Sequence, residues 1–130
     1  MRRTRIAVVG AGPWGLSHLR TICAEPRAEL TWICDPDEAA LASAAAMSPG
    51  VRCTRSPDEV LAARDVDAVV IATPAATHAE LAVRFLERER HVLVEKPLAL
   101  SRADAERVAS AARLAGTTVL VGHLMLYHPA

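Results

Sequence analysis

The sequence predicts an α/β fold, a doubly wound parallel sheet, and three observations predict it. Short apolar runs rich in Val and Ile alternate with segments of helical period. The runs are continuous rather than alternating, as suits strands covered on both faces. A glycine-rich turn joins the first run to the first helical segment.

Taken in order, the first strand is Ile6–Val9, and a helix opens at Trp14 with Leu16, Leu19, Ile22 and Cys23 on one face. Leu30–Cys34 is the second strand. Ala39–Met47 is an Ala-rich helix expected to be thinly covered, and Val51–Thr54 is a weaker strand candidate. Ser56-Pro57-Asp58-Glu59 has the form of a capping box with proline at the first helical position. Ala68–Ala72 is the next strand, followed by a helix that places Leu81, Ala82, Phe85 and Leu86 together. After the strand Val92–Val94, Ser101 can cap a helix carrying Ala105, Val108, Ala109 and Ala112, and Gly116 can end it. Thr118–Val121 is the last strand. Such alternation implies right-handed crossovers.

The chain has 130 residues, which suits one domain. Apolar residues make up 52 % and aromatics 3 %, so the core must be built from Val, Leu, Ile and Ala. Fifteen basic residues balance fifteen acidic ones and are mixed along the chain. That balance argues against nucleic acid or an anionic membrane as a partner. Cys23, Cys34 and Cys53 form no CxxC or CxxH pair, so they are expected to be half-buried small hydrophobes, with no metal site. Too few apolar residues precede Gly10 for a signal-peptide core, and no run approaches membrane-spanning length. A cytoplasmic protein is expected.

Gly10-Ala11-Gly12-Pro13-Trp14-Gly15 fits GxGxxG between a strand and a helix, the setting in which that pattern has meaning. The first glycine permits the turn, the second lets backbone approach a pyrophosphate, and the third lets helix and strand pack. The helix start then attracts the diphosphate of a dinucleotide. Asp35 follows the second strand, twenty residues beyond Gly15, where an acid can accept from an adenosine ribose diol. It would repel a 2′-phosphate, which favours NAD over NADP. The competing reading is a plain glycine turn with Asp35 or Asp37 capping the next helix.

Polar residues and prolines also gather at other strand ends: Thr73-Pro74-Ala75-Ala76-Thr77-His78, Glu95-Lys96-Pro97 and Gly122-His123. Lys96 is the only lysine, all other basic residues being Arg. Arg stays protonated, whereas a desolvated Lys can exchange a proton, as a group acting on a carbinol oxygen must.

These residues resemble the Gfo/Idh/MocA family, whose members carry a glycine-rich turn, an acid after the second strand, a Thr-Pro turn followed by His, and Glu-Lys-Pro after the fifth strand. The resemblance covers the whole chain. The segment from Val121 to Ala130 is similar to the subgroup that oxidises UDP-linked N-acetylamino sugars at C3. The resemblance implies a Rossmann NAD-binding domain over residues 1–122. Residues 123–130 would begin the connection to a C-terminal α/β substrate domain that the chain does not include. It implies that Gly10, Gly12, Pro13, Trp14 and Gly15 line the diphosphate and that Asp35 holds the adenosine ribose. Thr73, Pro74 and His78 would border the nicotinamide half, and Glu95 would meet its ribose. Lys96 would be the catalytic group at the substrate hydroxyl, and Pro97 would fix the loop through a cis peptide bond. His123 is a candidate near the substrate, although its setting favours a structural histidine. His18 and His91 read as plain surface or helix residues.

The resulting expectation is an oxidoreductase that moves a hydride between a sugar or sugar-nucleotide carbinol and nicotinamide. Its full-length form would be a homo-oligomer, and this chain alone would bind cofactor without full catalysis. One alternative is a stand-alone nucleotide-sensing regulatory module, which has no use for Glu95-Lys96-Pro97. A methyltransferase is the other, but it would continue into an antiparallel hairpin.

Overall fold

The structure, a computed structural model, describes residues 1–129. The elements run β1 Thr4–Val9, α1 Pro13–Ala24, β2 Ala28–Cys34, α2 Glu38–Met47, β3 Arg52–Thr54, α3 Pro57–Ala62, β4 Ala68–Ile71, a 3-10 turn Ala75–Thr77, α4 His78–Glu87, β5 His91–Glu95, α5 Arg102–Ala115, β6 Val119–Gly122 and a second 3-10 turn Leu124–Tyr127. The six strands form one sheet in the order β3-β2-β1-β4-β5-β6, and every pairing is parallel. The expected doubly wound fold is present, and the weak third strand is real.

Side chains leave successive strand positions on opposite faces, and both faces are covered. Ala7 and Val9 turn to a core shared with Val69, Ile71, Val92 and Val94, closed by Leu81, Phe85 and Leu86 of α4 and Val108 of α5. Val8 turns to the other face, where Ile33 and Val70 meet Leu19 and Ile22 of α1 and Ala44 of α2. Ala44 is the one fully buried residue of α2, which bears out its thin cover. On that face Leu93 is half-buried, and its register partner Leu120 is 53 % exposed.

Three details differ from the sequence reading. Cys23 and Cys53 are exposed and only Cys34 is buried, because α1 seals the sheet with Leu19 and Ile22 and leaves Cys23 at its rim. The start of α3 is capped but not boxed: the Ser56 hydroxyl accepts the Asp58 amide at 3.3 Å. The reciprocal bond that Glu59 would make needs the Ser56 amide, which already donates to the Thr54 hydroxyl at 3.1 Å. Strands β1, β2 and β5 also extend beyond their apolar runs, through polar residues such as Thr4, Glu29, His91 and Glu95.

At the amino edge of the sheet, the Asp67 carboxylate joins β1 to β4. It accepts the Arg5 amide at 2.8 Å, the Arg5 guanidinium at 2.8 and 3.1 Å, and Arg2 at 2.6 Å. The Arg5 hydrogen bonds, reinforced by Arg2, hold this carboxyl well below the usual aspartate range against the opposing pull of burial.

Candidate functional site

Parallel strands bring all their carboxyl ends to one edge, and the strand order reverses at β1, between β2 and β4. An open α/β sheet has its ligand crevice at that point.

The glycine turn occupies the crevice. Gly10 has φ +102°, and a Cβ there would stand 2.5 Å from the Ala72 carbonyl group. At Gly15 an added Cβ would lie 1.8 Å from the Gly10 oxygen, so α1 and the turn touch backbone to backbone. Gly12 is different, since a Cβ there would meet nothing within 4 Å. Protein packing does not require that glycine; the space before it is open to something else. The same residue caps α1, and no side chain satisfies the helix start, where Pro13 takes the first position and no acid lies in the first turn. The side chains of Asp37, Ser56 and Ser101 cap α2, α3 and α5. The free amide groups and positive dipole end of α1 therefore face an open space that suits an anion.

Asp35 follows β2 and reaches this turn. Its Oδ2 accepts the Ala11 amide at 2.8 Å and its Oδ1 the Asp37 amide at 2.8 Å. Asp37, not Asp35, caps α2, accepting from the amides of Ala39 and Ala40. Each Asp35 oxygen keeps a further lone pair for a hydroxyl donor. The open space at Gly12, the uncapped helix start and this carboxylate fit the diphosphate and adenosine ribose of a dinucleotide.

Beyond β4, the Thr77 hydroxyl donates to the Pro74 carbonyl at 2.7 Å and lies 2.6 Å from the Thr73 hydroxyl, tightening the Thr73-Pro74 turn. His78 begins α4 and is 1 % exposed. The sequence reading set it along the nicotinamide half; it sits instead beneath the rim, with Nε2 2.7 Å from the Thr73 carbonyl and Nδ1 2.7 Å from the Pro97 carbonyl. A buried imidazole needs partners for its ring nitrogens, which explains its inward turn to these two carbonyls. A neutral ring can donate to one of the two, the doubly protonated ring to both.

Glu95 ends β5, and its Oε1 lies 2.7 Å from Nε2 of His18 on α1. Behind it lies Gly122, where a Cβ would come within 3.2–3.3 Å of the carboxylate. His18 is thus not the plain helix residue that the sequence suggested. Its place one helical turn after Gly15 is the signal that could have found it. Lys96 is exposed, so the described residues do not supply the desolvation expected of it. The Lys96–Pro97 peptide bond is cis, as anticipated. His123 is exposed just after β6, and its amide donates to the Val121 carbonyl at 2.8 Å. His91 lies at the opposite edge, its Nδ1 accepting the Thr118 amide at 3.1 Å.

The fold therefore brings Gly10–Gly15, Asp35, Thr73-Pro74 and Glu95-Lys96-Pro97 to one edge of the sheet. Among the described residues, no group of three or more His, Cys, Asp or Glu could hold a metal ion, and no helix is long and apolar enough to cross a membrane.

Known proteins share this fold. The profile of the oxidoreductase family Gfo/Idh/MocA, described as an NAD-binding Rossmann fold, matches residues 4–123. The 4-carboxy-2-hydroxymuconate-6-semialdehyde dehydrogenase of Sphingobium sp. is 37 % identical over 125 residues, which cover 96 % of this chain and 40 % of that protein. The crystal structure of GenD2 from gentamicin A biosynthesis, in complex with NAD, superposes with a TM-score of 0.94 at 41 % identity, covering 99 % of this chain and 37 % of GenD2. The WlbA dehydrogenase of Bordetella pertussis, in complex with NADH and UDP-GlcNAcA, gives a TM-score of 0.87 at 36 % identity, covering 92 % of this chain and 35 % of that one. The chain thus spans about two fifths of the length of these relatives. On its glycine turn, its strand order and these matches, the chain belongs to the Gfo/Idh/MocA family of oxidoreductases, in the part of it that forms the NAD-binding Rossmann fold.

Proposed function

We propose that this chain is the cofactor-binding unit of an enzyme that moves a hydride between a carbinol carbon of a sugar or sugar nucleotide and nicotinamide. The observation that carries the reading is the open space at Gly12 before an uncapped helix, with Asp35 beside it and Glu95-Lys96-Pro97 on the same rim. When bound, the cofactor supplies the hydride acceptor or donor.

In this reading Gly10, Gly12, Pro13, Trp14 and Gly15 line the diphosphate, and Asp35 accepts from the adenosine ribose. The Asp35 charge favours NAD over NADP. Thr73 and Pro74 border the nicotinamide half from the strand end, with His78 supporting them from below. Glu95 accepts from the nicotinamide ribose. Lys96 is the catalytic group, holding or moving the proton at the substrate oxygen, and His123 stands near the substrate. Residues 1–122 are the cofactor domain, and 123–130 lead toward a substrate domain that closes over Lys96 and removes it from water. Self-association through the apolar edge at β6 is part of the same proposal, as is a cytoplasmic setting, in keeping with three free cysteines. A nucleotide-sensing module is less well supported, because it leaves the Glu95-Lys96-Pro97 rim without a purpose.

Calorimetric titration of the chain with NAD and NADP tests the reading. We expect one NAD bound per chain and weaker NADP. Lys96→Ala is expected to keep NAD affinity within about twofold, because the amine faces substrate rather than cofactor. In a form that also carries the substrate domain, Lys96→Ala should abolish turnover. Absence of NAD binding, or turnover retained without Lys96, would overturn the assignment.

A further inference from the structure

Lys96 stands between two residues that are each held by a histidine from a different helix. On its amino side, the Glu95 carboxylate lies 2.7 Å from Nε2 of His18 on α1. On its carboxyl side, the Pro97 carbonyl lies 2.7 Å from Nδ1 of His78 at the start of α4, and the other nitrogen of that ring reaches the Thr73 carbonyl at 2.7 Å. His78 is buried, while the side chains of His18 and Glu95 keep 23 % and 15 % of their exposure at the rim. Gly122 backs the Glu95 carboxylate, so that side chain is confined between bare backbone and the His18 ring.

The sheet does not supply this restraint. Pairing of β5 with β6 ends at Glu95 and Gly122, one residue before Lys96. A lysine stem has several rotatable bonds, so the reach of its amine is set by the backbone from which it starts. A turn held at one end can pivot; a turn held at both ends presents the root of the side chain in one place. Misplacement of a catalytic group by about 1 Å can cost about a hundredfold in rate.

We propose that His18 and His78 are positioning residues that clamp the Glu95-Lys96-Pro97 turn from both sides and so fix where the Glu95 carboxylate meets the nicotinamide half of the cofactor and where the Lys96 amine meets the substrate. The inference rests on the cofactor reading above. Neither histidine touches a reacting atom: His18 acts through the Glu95 carboxylate, and His78 acts through the Pro97 carbonyl.

The single lysine makes a direct test available. Labelling with 15N-lysine yields one amide signal, that of Lys96. Its backbone order parameter is expected near about 0.85 in the native chain and below about 0.6 in His18→Ala. His18→Gln, which keeps a donor nitrogen at similar reach, is expected to restore it. The same proteins are then titrated with NAD and with ADP, which lacks the nicotinamide nucleoside. His18→Ala is expected to weaken NAD about tenfold, as loss of a charge-assisted hydrogen bond does, and to leave ADP unchanged, with His18→Gln again restoring the native value. His78 is buried too deeply to remove without loosening the fold, so the His18 variants carry the test. An unchanged order parameter in His18→Ala, or equal losses for NAD and ADP, overturns the clamp. A native chain whose Lys96 signal ignores NAD overturns the cofactor reading instead, and the order-parameter comparison then decides the clamp separately.

Discussion

The Asp35 carboxylate accepts the Ala11 amide at 2.8 Å, which joins the end of β2 to the glycine turn. Ala11 is buried, so this bond satisfies a donor that water does not reach. Asp35 therefore has a part in shaping the turn as well as in the ribose contact proposed for it. Asp35→Ala is expected to weaken NAD more than NADP, because only the unphosphorylated ribose uses both carboxylate oxygens. It should also lower stability by about 1–3 kcal/mol through the orphaned Ala11 amide. Parallel titrations with the two cofactors and a urea melt check both parts. Equal loss for NAD and NADP would remove Asp35 from the ribose.

Gly12 and Gly15 should respond differently to one added methyl. A Cβ at Gly15 would lie 1.8 Å from the Gly10 oxygen, so Gly15→Ala must push α1 off the turn and is expected to cost about 3 kcal/mol. At Gly12 the same Cβ meets open space. Gly12→Ala is therefore expected to melt like the native chain and to lose NAD affinity, since the methyl occupies the diphosphate approach. Thermal melts paired with NAD titrations separate the two, and a Gly12→Ala chain with native affinity contradicts the placement of the diphosphate.

Asp67 should govern the acid limb of stability. Its native pKa lies below the ordinary value of 3.8, chiefly through its Arg5 hydrogen bonds. The unfolded chain then binds the proton more readily, so the stabilisation is fully present above about pH 4 and drains away as pH falls further. Asp67→Asn is expected to cost about 2 kcal/mol at neutral pH, since it weakens bonds to Arg2 and Arg5 at the β1–β4 junction. It should also flatten the loss of stability in acid. Denaturant melts from neutral pH down to pH 3 check it, and parallel curves for the two proteins would exclude Asp67 as the source.

The three thiols should divide two to one. Burial pushes the Cys34 thiol up to about 12, with the nearby Asp35 and Glu59 charges adding to the shift, while Cys23 and Cys53 are exposed. Reactivity follows the exposed thiolate. An Ellman titration of the native chain is expected to count two thiols quickly and the third only after denaturation. Three fast thiols would mean that the seam beneath β2 opens readily.

The β6 edge carries Leu120, Leu124, Leu126 and Tyr127 at 53, 59, 78 and 79 % exposure. An edge strand with apolar neighbours is a template for association. The chain is expected to show a rising average mass with concentration in sedimentation, reduced by Leu124→Ser with Leu126→Ser. A constant monomer mass for the native chain would contradict this.

Much of the fold was legible because its signals are local. The apolar runs at Val8, Ile33, Val70 and Val94, the Gly10–Gly15 turn and the caps at Ser56 and Ser101 each depend on residues a few positions away. Strand–helix alternation then requires parallel strands, and parallel strands must place Asp35 and Lys96 on one edge. The sequence by itself thus determined the doubly wound sheet and which residues share its rim. Only the tertiary structure decided how those residues pair. His18 meets Glu95 across 77 positions of chain, His78 turns down to the Thr73 and Pro97 carbonyls, and Lys96 remains in solvent. Spacing sets His18 one helical turn after Gly15, but no local pattern names Glu95 as its partner. Such contacts follow from the angle at which α1 and α4 pack on the sheet, which the whole core sets at once.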